Sequence, residues 1–316
     1  MMEDTKPTPL QTSPTFTGIP CLFCPDAPAR ELFPARLDPT KLDPYAFSAR
    51  RQRKREHYRT VICENCGLVR SDPILSEEVI NHLYEKSEFL FSEEAPCAAD
   101  TYANLLQKLM HTCPNASHID SMCEIGCSTG FFMHRCLKMG IQNVLGFEPS
   151  VQCRDQADAA VRNRIIVAPF APNLAGDRRF DLVCGFHVFD HLRDPLKALT
   201  EACTLLKPHG FILLVCHDVA SLGVRLLGSF NPIFDIEHIY LFSLRTMATL
   251  FDQCGLEMIK SGPLTNTYPL RYWMRMAPGV SNISRILPER VARMPISIQA
   301  GNLYAFGQKK EVCNAD

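Results

Sequence analysis

The 316-residue sequence carries almost no net charge, with 33 lysines and arginines against 34 aspartates and glutamates. That balance excludes a globally basic nucleic-acid coat, although local basic patches stay open. No apolar stretch approaches the roughly 18 unbroken residues of a membrane-crossing helix, so no membrane span is expected. The first residues, MMEDTKPTPLQTSPTFTG, lack the basic start and apolar run of a secretory signal. They are polar, rich in proline and threonine, and read as a disordered tail over 1–18. No internal repeat is visible. What remains is an ordinary globular composition, 46% hydrophobic and 21% charged. At roughly 150 residues per domain, the length fits two domains or one large domain with an appendage.

Cysteine is abundant, with 15 residues. The odd number and the missing signal argue against a disulfide framework. Most of these cysteines, such as Cys123, Cys184, Cys203 and Cys216, sit in apolar runs, where a reduced thiol acts as a small core hydrophobe. A reducing, cytoplasmic compartment is expected. Four others form two pairs, Cys21-Leu-Phe-Cys24 and Cys63-Glu-Asn-Cys66. Each CxxC turn aims two thiolates at one point, and two such turns supply the four sulfurs of a closed structural zinc site. Gly67 suits the left-handed backbone such a knuckle needs. The flanks, 58–62 and 68–70, alternate like ribbon strands. The 38 residues between the pairs hold a basic run, Arg50 to Arg59. It reads as a solvated loop, because no aromatic residue is interleaved before Tyr58. The other reading is a phosphate-contacting patch.

Four segments follow: the tail over 1–18, a zinc ribbon over 19–72, linking helices over 73–112, and an α/β domain over 113–316. The linking helices are expected at 76–90, capped by Ser76, and at 98–110. From residue 119 strands and helices alternate. Strands are expected at 119–125, 143–147, 164–167, 180–186 and 211–216. Helices are expected at 129–139, at 150–161 behind Ser150, at 194–206 behind Asp194-Pro195, and at 243–255 behind Ser243. A turn is expected at 207–210, and 296–307 fits a late antiparallel strand. This alternation implies a mainly parallel sheet with helices on both faces.

The chemistry concentrates after the first of these strands, in Glu124-Ile125-Gly126-Cys127-Ser128-Thr129-Gly130. Glycines there permit a tight turn and close approach of a ligand to backbone. Glu148 ends the next strand, at the spacing from which a carboxylate reaches a ribose hydroxyl pair. Phe131 stands where a dinucleotide fold would place its third glycine. A carboxylate at Glu124 would repel a pyrophosphate and attract a cationic amino-acid moiety.

These residues resemble the first motif of class I S-adenosylmethionine-dependent methyltransferases, acidic-x-Gly-x-Gly-x-Gly, with Ser128 at the middle glycine, a substitution the motif tolerates if φ there stays negative. Phe180 to Pro195, containing His187, Asp190, His191 and Asp194, looks like the fourth-strand motif, with Asp190 where glutamate is usual. Leu205 to Phe211 resembles the turn before the fifth strand. Glu237-His238-Ile239-Tyr240-Leu241-Phe242-Ser243 resembles a segment that lines the acceptor pocket. The ribbon is similar to that of sugar and natural-product methyltransferases. The resemblance implies a Rossmann-like seven-stranded sheet with an antiparallel seventh strand, and S-adenosylmethionine held by Glu124, Gly126, Cys127, Ser128, Gly130, Phe131, Glu148, Pro149 and His187. His187, Asp190 and His238 are the candidate catalytic residues, while His191 reads as a structural hydrogen-bonding residue. Phe147 and Phe170 are candidates to flank the adenine, and Arg225 and Arg271 to anchor an acidic acceptor. The segment 268–290 either covers the active site or is a packed helix.

The expected activity is methyl transfer to oxygen or carbon of a small molecule or glycan. Two alternatives remain: an RNA methyltransferase that grips its substrate through the ribbon and basic run, and a catalytically silent binding protein of the same fold.

Overall fold

The computed structural model describes residues 15–38, 56–80, 95–276 and 287–310. Residues 1–14 of the tail expected over 1–18, residues 50–55 of the basic run 50–59, residues 81–90 of the helix expected at 76–90, and residues 277–286 of the segment 268–290 lie outside the described residues.

The N-terminal part is built from short strands. β1 (Phe16–Thr17) pairs with β5 (Ile74–Leu75), while β2 (Ala29–Phe33), β3 (Thr60–Cys63) and β4 (Val69–Ser71) form an antiparallel ribbon. The cysteine pairs sit at the turns, and Gly67 adopts φ 78. Residues 77–80 are helical, and a helix over Ala95–Thr112 follows.

The larger sheet holds β6 (Ser121–Ile125), β7 (Asn143–Phe147), β8 (Ile165–Ile166), β9 (Phe180–Phe186), β10 (Leu206–His217), β12 (Leu256–Pro269) and β13 (Pro295–Lys309). Their order is β12-β13-β10-β9-β6-β7-β8. The five strands β6 to β10 run parallel, and β13 inserts antiparallel between β10 and β12. This is the mainly parallel, Rossmann-like seven-stranded sheet expected from the sequence. The order reverses between β6 and β9, so their carboxyl ends open a crevice for a ligand.

Both faces of the sheet are buried, which is why its central strands read as unbroken apolar runs. Consecutive residues of β10 alternate between two core clusters: Ile212, Leu214 and Cys216 join one, Leu213 and Val215 the other. The first cluster is closed by the helices Pro195–Thr204 and Leu244–Gln253 and includes Tyr58 and Leu68 of the ribbon. The second is closed by the helices Ala95–Thr112 and Phe131–Lys138. Asp194 caps its helix by accepting from the Lys197 amide at 2.8 Å, and Ser243 makes a reciprocal capping box with Thr246.

Three local expectations change. The helix behind Ser150 is broken at Ala157, whose ψ of 148° is extended, giving Val151–Gln156 and Ala159–Arg162. Asp158 recaps the second piece through the Ala160 amide at 2.9 Å. Residues 207–210 form an irregularity inside β10 rather than a turn before it. β12, which the sequence left unassigned, pairs along most of β13. Its apolar alternation is interrupted by Gly262-Pro263, and an edge strand tolerates proline.

β11 (Tyr240–Leu241) leaves the larger domain to pair with β4, making the ribbon sheet β11-β4-β3-β2. Ser71 reinforces the join: its amide donates to the Ile239 carbonyl and its hydroxyl to the His238 carbonyl, each at 2.8 Å. No helix among the described residues is long and apolar enough to cross a membrane.

Asp181 at the start of β9 ties three strands together. It accepts from the Ser121 hydroxyl at 2.6 Å, the Ser121 amide at 2.9 Å and the Lys207 ammonium at 2.9 Å. Burial raises the Asp181 carboxyl, but the bonds from Ser121 and Lys207 outweigh it and hold the group below the usual aspartate range. A depressed folded-state pKa contributes stability that is complete above the unfolded value and is lost as pH falls through the folded one. Asp181→Ala is expected to cost about 1–3 kcal/mol in urea unfolding at neutral pH, with the difference shrinking in acid below the ordinary aspartate pKa.

Candidate active site

Two groups of residues meet at the carboxyl ends of β6, β7, β9 and β10. The first is the turn after β6. Gly126, Ser128 and Gly130 adopt φ of 71°, 50° and 72°. The condition of negative φ at Ser128 is therefore not met: a serine occupies the left-handed conformation that glycine takes freely, at a cost of about 1–2 kcal/mol. Its amide is thereby turned to Glu148, donating to Oε2 at 2.9 Å, while the Ser150 amide donates to Oε1 at 2.9 Å. A Cβ on Gly126 would lie 2.4 Å from Val188 Cγ2, so this position has room only for hydrogen.

Gly146 shapes the turn from below. A Cβ there would fall 2.4 Å from Cys127 Sγ and 2.6 Å from Met133 Sδ. Its absence lets the Cys127 thiol tuck into the core, where the residue is buried. Only the backbone of Cys127 is thus turned to the crevice. Phe147 is also core, edge-on to Phe170 with centroids 5.2 Å apart. Pro149 is exposed beside Glu148, and Phe131 opens the next helix half-buried.

Glu124 is buried, and its Oε2 meets no hydrogen-bond partner among the described residues. Burial, reinforced by the nearby Glu148, pushes its carboxyl well above the usual range. Burial also raises Glu148, against the two amides that lower it. An ammonium or sulfonium group brought into this crevice would offset both penalties. The positive-φ turn, the ungated backbone and the orphaned acid fit the amino-acid and ribose parts of S-adenosylmethionine.

The second group surrounds Asp190. Its carboxylate is fully buried, and Oδ2 lies 2.6 Å from His217 Nδ1. A carboxylate only accepts, so Nδ1 of His217 is the donor of this bond and Nε2 is the nitrogen turned away from Asp190. Burial alone would raise Asp190, but the bond to His217, its charge, and those of His191 and His238 hold the carboxyl well below the usual range. His187 adopts φ 54 at the end of β9, its amide donating to the Val215 carbonyl at 2.7 Å. Its ring centre lies 4.5 Å from that of His217, which lies 4.5 Å from that of His238. His238 is buried with Nδ1 2.8 Å from the Ile233 carbonyl, and burial pushes its imidazole well down. His187, Asp190 and His238, separated by up to 51 positions in sequence, are thus brought together.

His217 was missed in the sequence. It follows the apolar run 211–216, and its signal was its place: the last residue of a parallel strand beside the point where strand order reverses. Two other candidates fall elsewhere. Arg271 pairs with Glu289 at 3.3 Å, and Arg225 is exposed on the short helix Leu222–Leu227. Within the segment 268–290, Tyr272 is buried and Trp273 donates to the Ile296 carbonyl at 2.8 Å, so its described start, 268–276, is packed against the sheet.

At the ribbon turns, one Sγ from each of Cys21, Cys24, Cys63 and Cys66 lies within 4.8 Å of the others. All four are free thiols, and the set matches a tetrahedral thiolate site in donor type and number.

The family model of the methyltransferase domain matches residues 91–261. Among curated proteins, the tRNA U34 carboxymethyltransferase of Campylobacter curvus is 28% identical over 127 residues, 38% of this chain and 42% of that protein. The protein of the same name from Nautilia profundicola is 30% identical over 98 residues, 29% of this chain and 32% of its own. The chain thus spans less than half the length of either relative. A solved structure from Thermotoga maritima, described as an S-adenosylmethionine-dependent methyltransferase and possible histamine N-methyltransferase, aligns with a TM-score of 0.44 at 19% identity. It covers 69% of this chain and 92% of that one.

Proposed function

Because the chain belongs to the methyltransferase domain family, we propose that it transfers the methyl group of S-adenosylmethionine to a hydroxyl oxygen of a small molecule or glycan. The observation that carries the hydroxyl acceptor is the Asp190–His217 pair beside the crevice, a carboxylate-oriented imidazole with Nε2 turned away from Asp190.

In this reading the backbone of Gly126 to Gly130 cradles the cofactor, Glu148 takes the ribose hydroxyls, and Glu124 faces the cationic amino-acid end. When bound, S-adenosylmethionine supplies an electrophilic methyl group on sulfonium. His217 Nε2 removes the acceptor proton as the oxygen attacks. Asp190 fixes the His217 tautomer and stabilises the imidazolium that forms. His187 lines the same wall and orients the acceptor, while the buried His238 ring packs 4.5 Å from that of His217, centre to centre. The four ribbon cysteines hold a structural zinc ion, which braces the strand carrying Ser71 against His238.

A second reading has an observation of its own: both curated relatives named above act, by name, on tRNA. The test is label transfer from methyl-labelled S-adenosylmethionine to separate pools of glycans, small hydroxylated molecules and tRNA. Label in the first two is expected. Label in tRNA alone supports the second reading, and no label in any pool contradicts both.

A further inference from the structure

Asp190 is more than the partner of His217. Its Oδ1 is buried and meets no hydrogen bond, and the ion pairs it makes among the described residues are with histidines alone. His191 Nε2 approaches this oxygen at 3.9 Å. One donor atom from each of Asp190, His191 and His238 lies within 4.8 Å of the other two. We propose that these three side chains form a second metal site, distinct from the cysteine cluster, which takes a first-row divalent ion such as Zn2+, Fe2+ or Co2+.

The donor set is two imidazoles and one carboxylate, which suits such ions and leaves coordination positions open. Two of the three ligands, His238 and Asp190, are held from behind, as metal ligands are. His238 directs Nδ1 to the Ile233 carbonyl at 2.8 Å, which leaves its Nε2 as the donor. Asp190 Oδ2 is engaged by His217 at 2.6 Å, which leaves Oδ1. His191 turns Nε2 toward Asp190 Oδ1 at 3.9 Å. The backbone locks the trio together, since the Ile239 and Tyr240 amides donate to the Asp190 carbonyl at 2.8 and 3.2 Å. The two rings lie 4.8 Å apart, centre to centre.

Charge points the same way. The Asp190 carboxylate is wholly buried and its Oδ1 has no hydrogen-bond partner among the described residues, so a cation placed there would offset the cost of holding that group out of water. Metal bonds of about 2.1 Å require the three donors to close to roughly 3–3.5 Å, a movement within reach of side-chain rotation. An ion here stands next to His187 and His217, where an acceptor oxygen would take one of its open positions.

The probe is Co2+, titrated into the full chain after its cysteine cluster has been filled with Zn2+. Cobalt bound by nitrogen and oxygen absorbs in the visible without the thiolate charge-transfer band that marks the cysteine site. One further saturable equivalent is expected. Asp190→Asn and His191→Ala should remove it, and His217→Ala should weaken it by roughly 10–100-fold as a supporting contact. His187→Ala should retain it. Thermal melting and retained cysteine-bound zinc verify that each variant is folded. Absence of a second equivalent in folded wild-type protein overturns the proposal. So does an equivalent that survives His191→Ala and disappears in His187→Ala. The readout is optical, so it stands or falls independently of any acceptor.

Discussion

Replacing His217 with alanine is expected to lower the turnover number for methyl transfer by roughly 10²–10⁴-fold, the usual contribution of a positioned general base. Cofactor affinity should stay unchanged, because His217 lies on β10 while the cradle is built from the ends of β6 and β7. The size of the effect follows from the geometry. The 2.6 Å bond to Asp190 fixes which nitrogen of His217 is protonated. With the base gone, the acceptor must lose its proton to water. Single-turnover assays on any acceptor that takes label separate this loss from a binding defect. Unchanged turnover would remove His217 from the mechanism and leave His187 as the imidazole to examine.

For the proposed four-thiolate zinc site, Cys63→Ser is expected to abolish zinc binding and to destabilise more than the ribbon. Structural zinc sites in small peptides are worth about 10–16 kcal/mol of apparent binding free energy, and that energy is folding energy. Cys63 ends β3, whose partner β4 pairs with β11. Through Ser71, β4 also holds the His238 carbonyl at 2.8 Å. Loss of the ion should therefore lower the first melting transition by many degrees and reduce activity, although no ribbon cysteine touches the crevice. The check is metal content alongside a calorimetric melt. Full zinc occupancy in folded Cys63→Ser protein would contradict a four-thiolate site.

Much of this architecture was legible in the residues, for reasons that differ by element. β7 and β9 have the bounds read from the sequence, because strands buried on both faces are unbroken apolar runs closed by polar residues. Helix starts at Ser150, Asp194 and Ser243 were equally plain, since each cap is a side-chain bond to a nearby amide. The break at Ala157 was hidden, because nothing in its side chain distinguishes helical from extended ψ. β12 was hidden because an edge strand buries one side only and admits Gly262-Pro263. At the site, motif spacing singled out Glu124, Gly126, Glu148, His187, Asp190 and His238. The missing member, His217, carries no local motif; its proximity to Asp190 comes from the pairing of β10 with β9. The conformation of Ser128 was likewise set by its surroundings, with Glu148 receiving its amide.

The central claim is that the crevice at the ends of β6 and β7 binds S-adenosylmethionine. Its most direct test is calorimetric titration of that cofactor into the zinc-loaded full chain, with Gly126→Arg beside it. Saturable single-site binding is predicted for the wild type. It should be absent in the variant, where any Cβ would sit 2.4 Å from Val188 Cγ2 on a backbone with φ of 71°. No saturable heat from folded wild-type protein would contradict the cofactor assignment and favour a binding protein that keeps the fold without the chemistry.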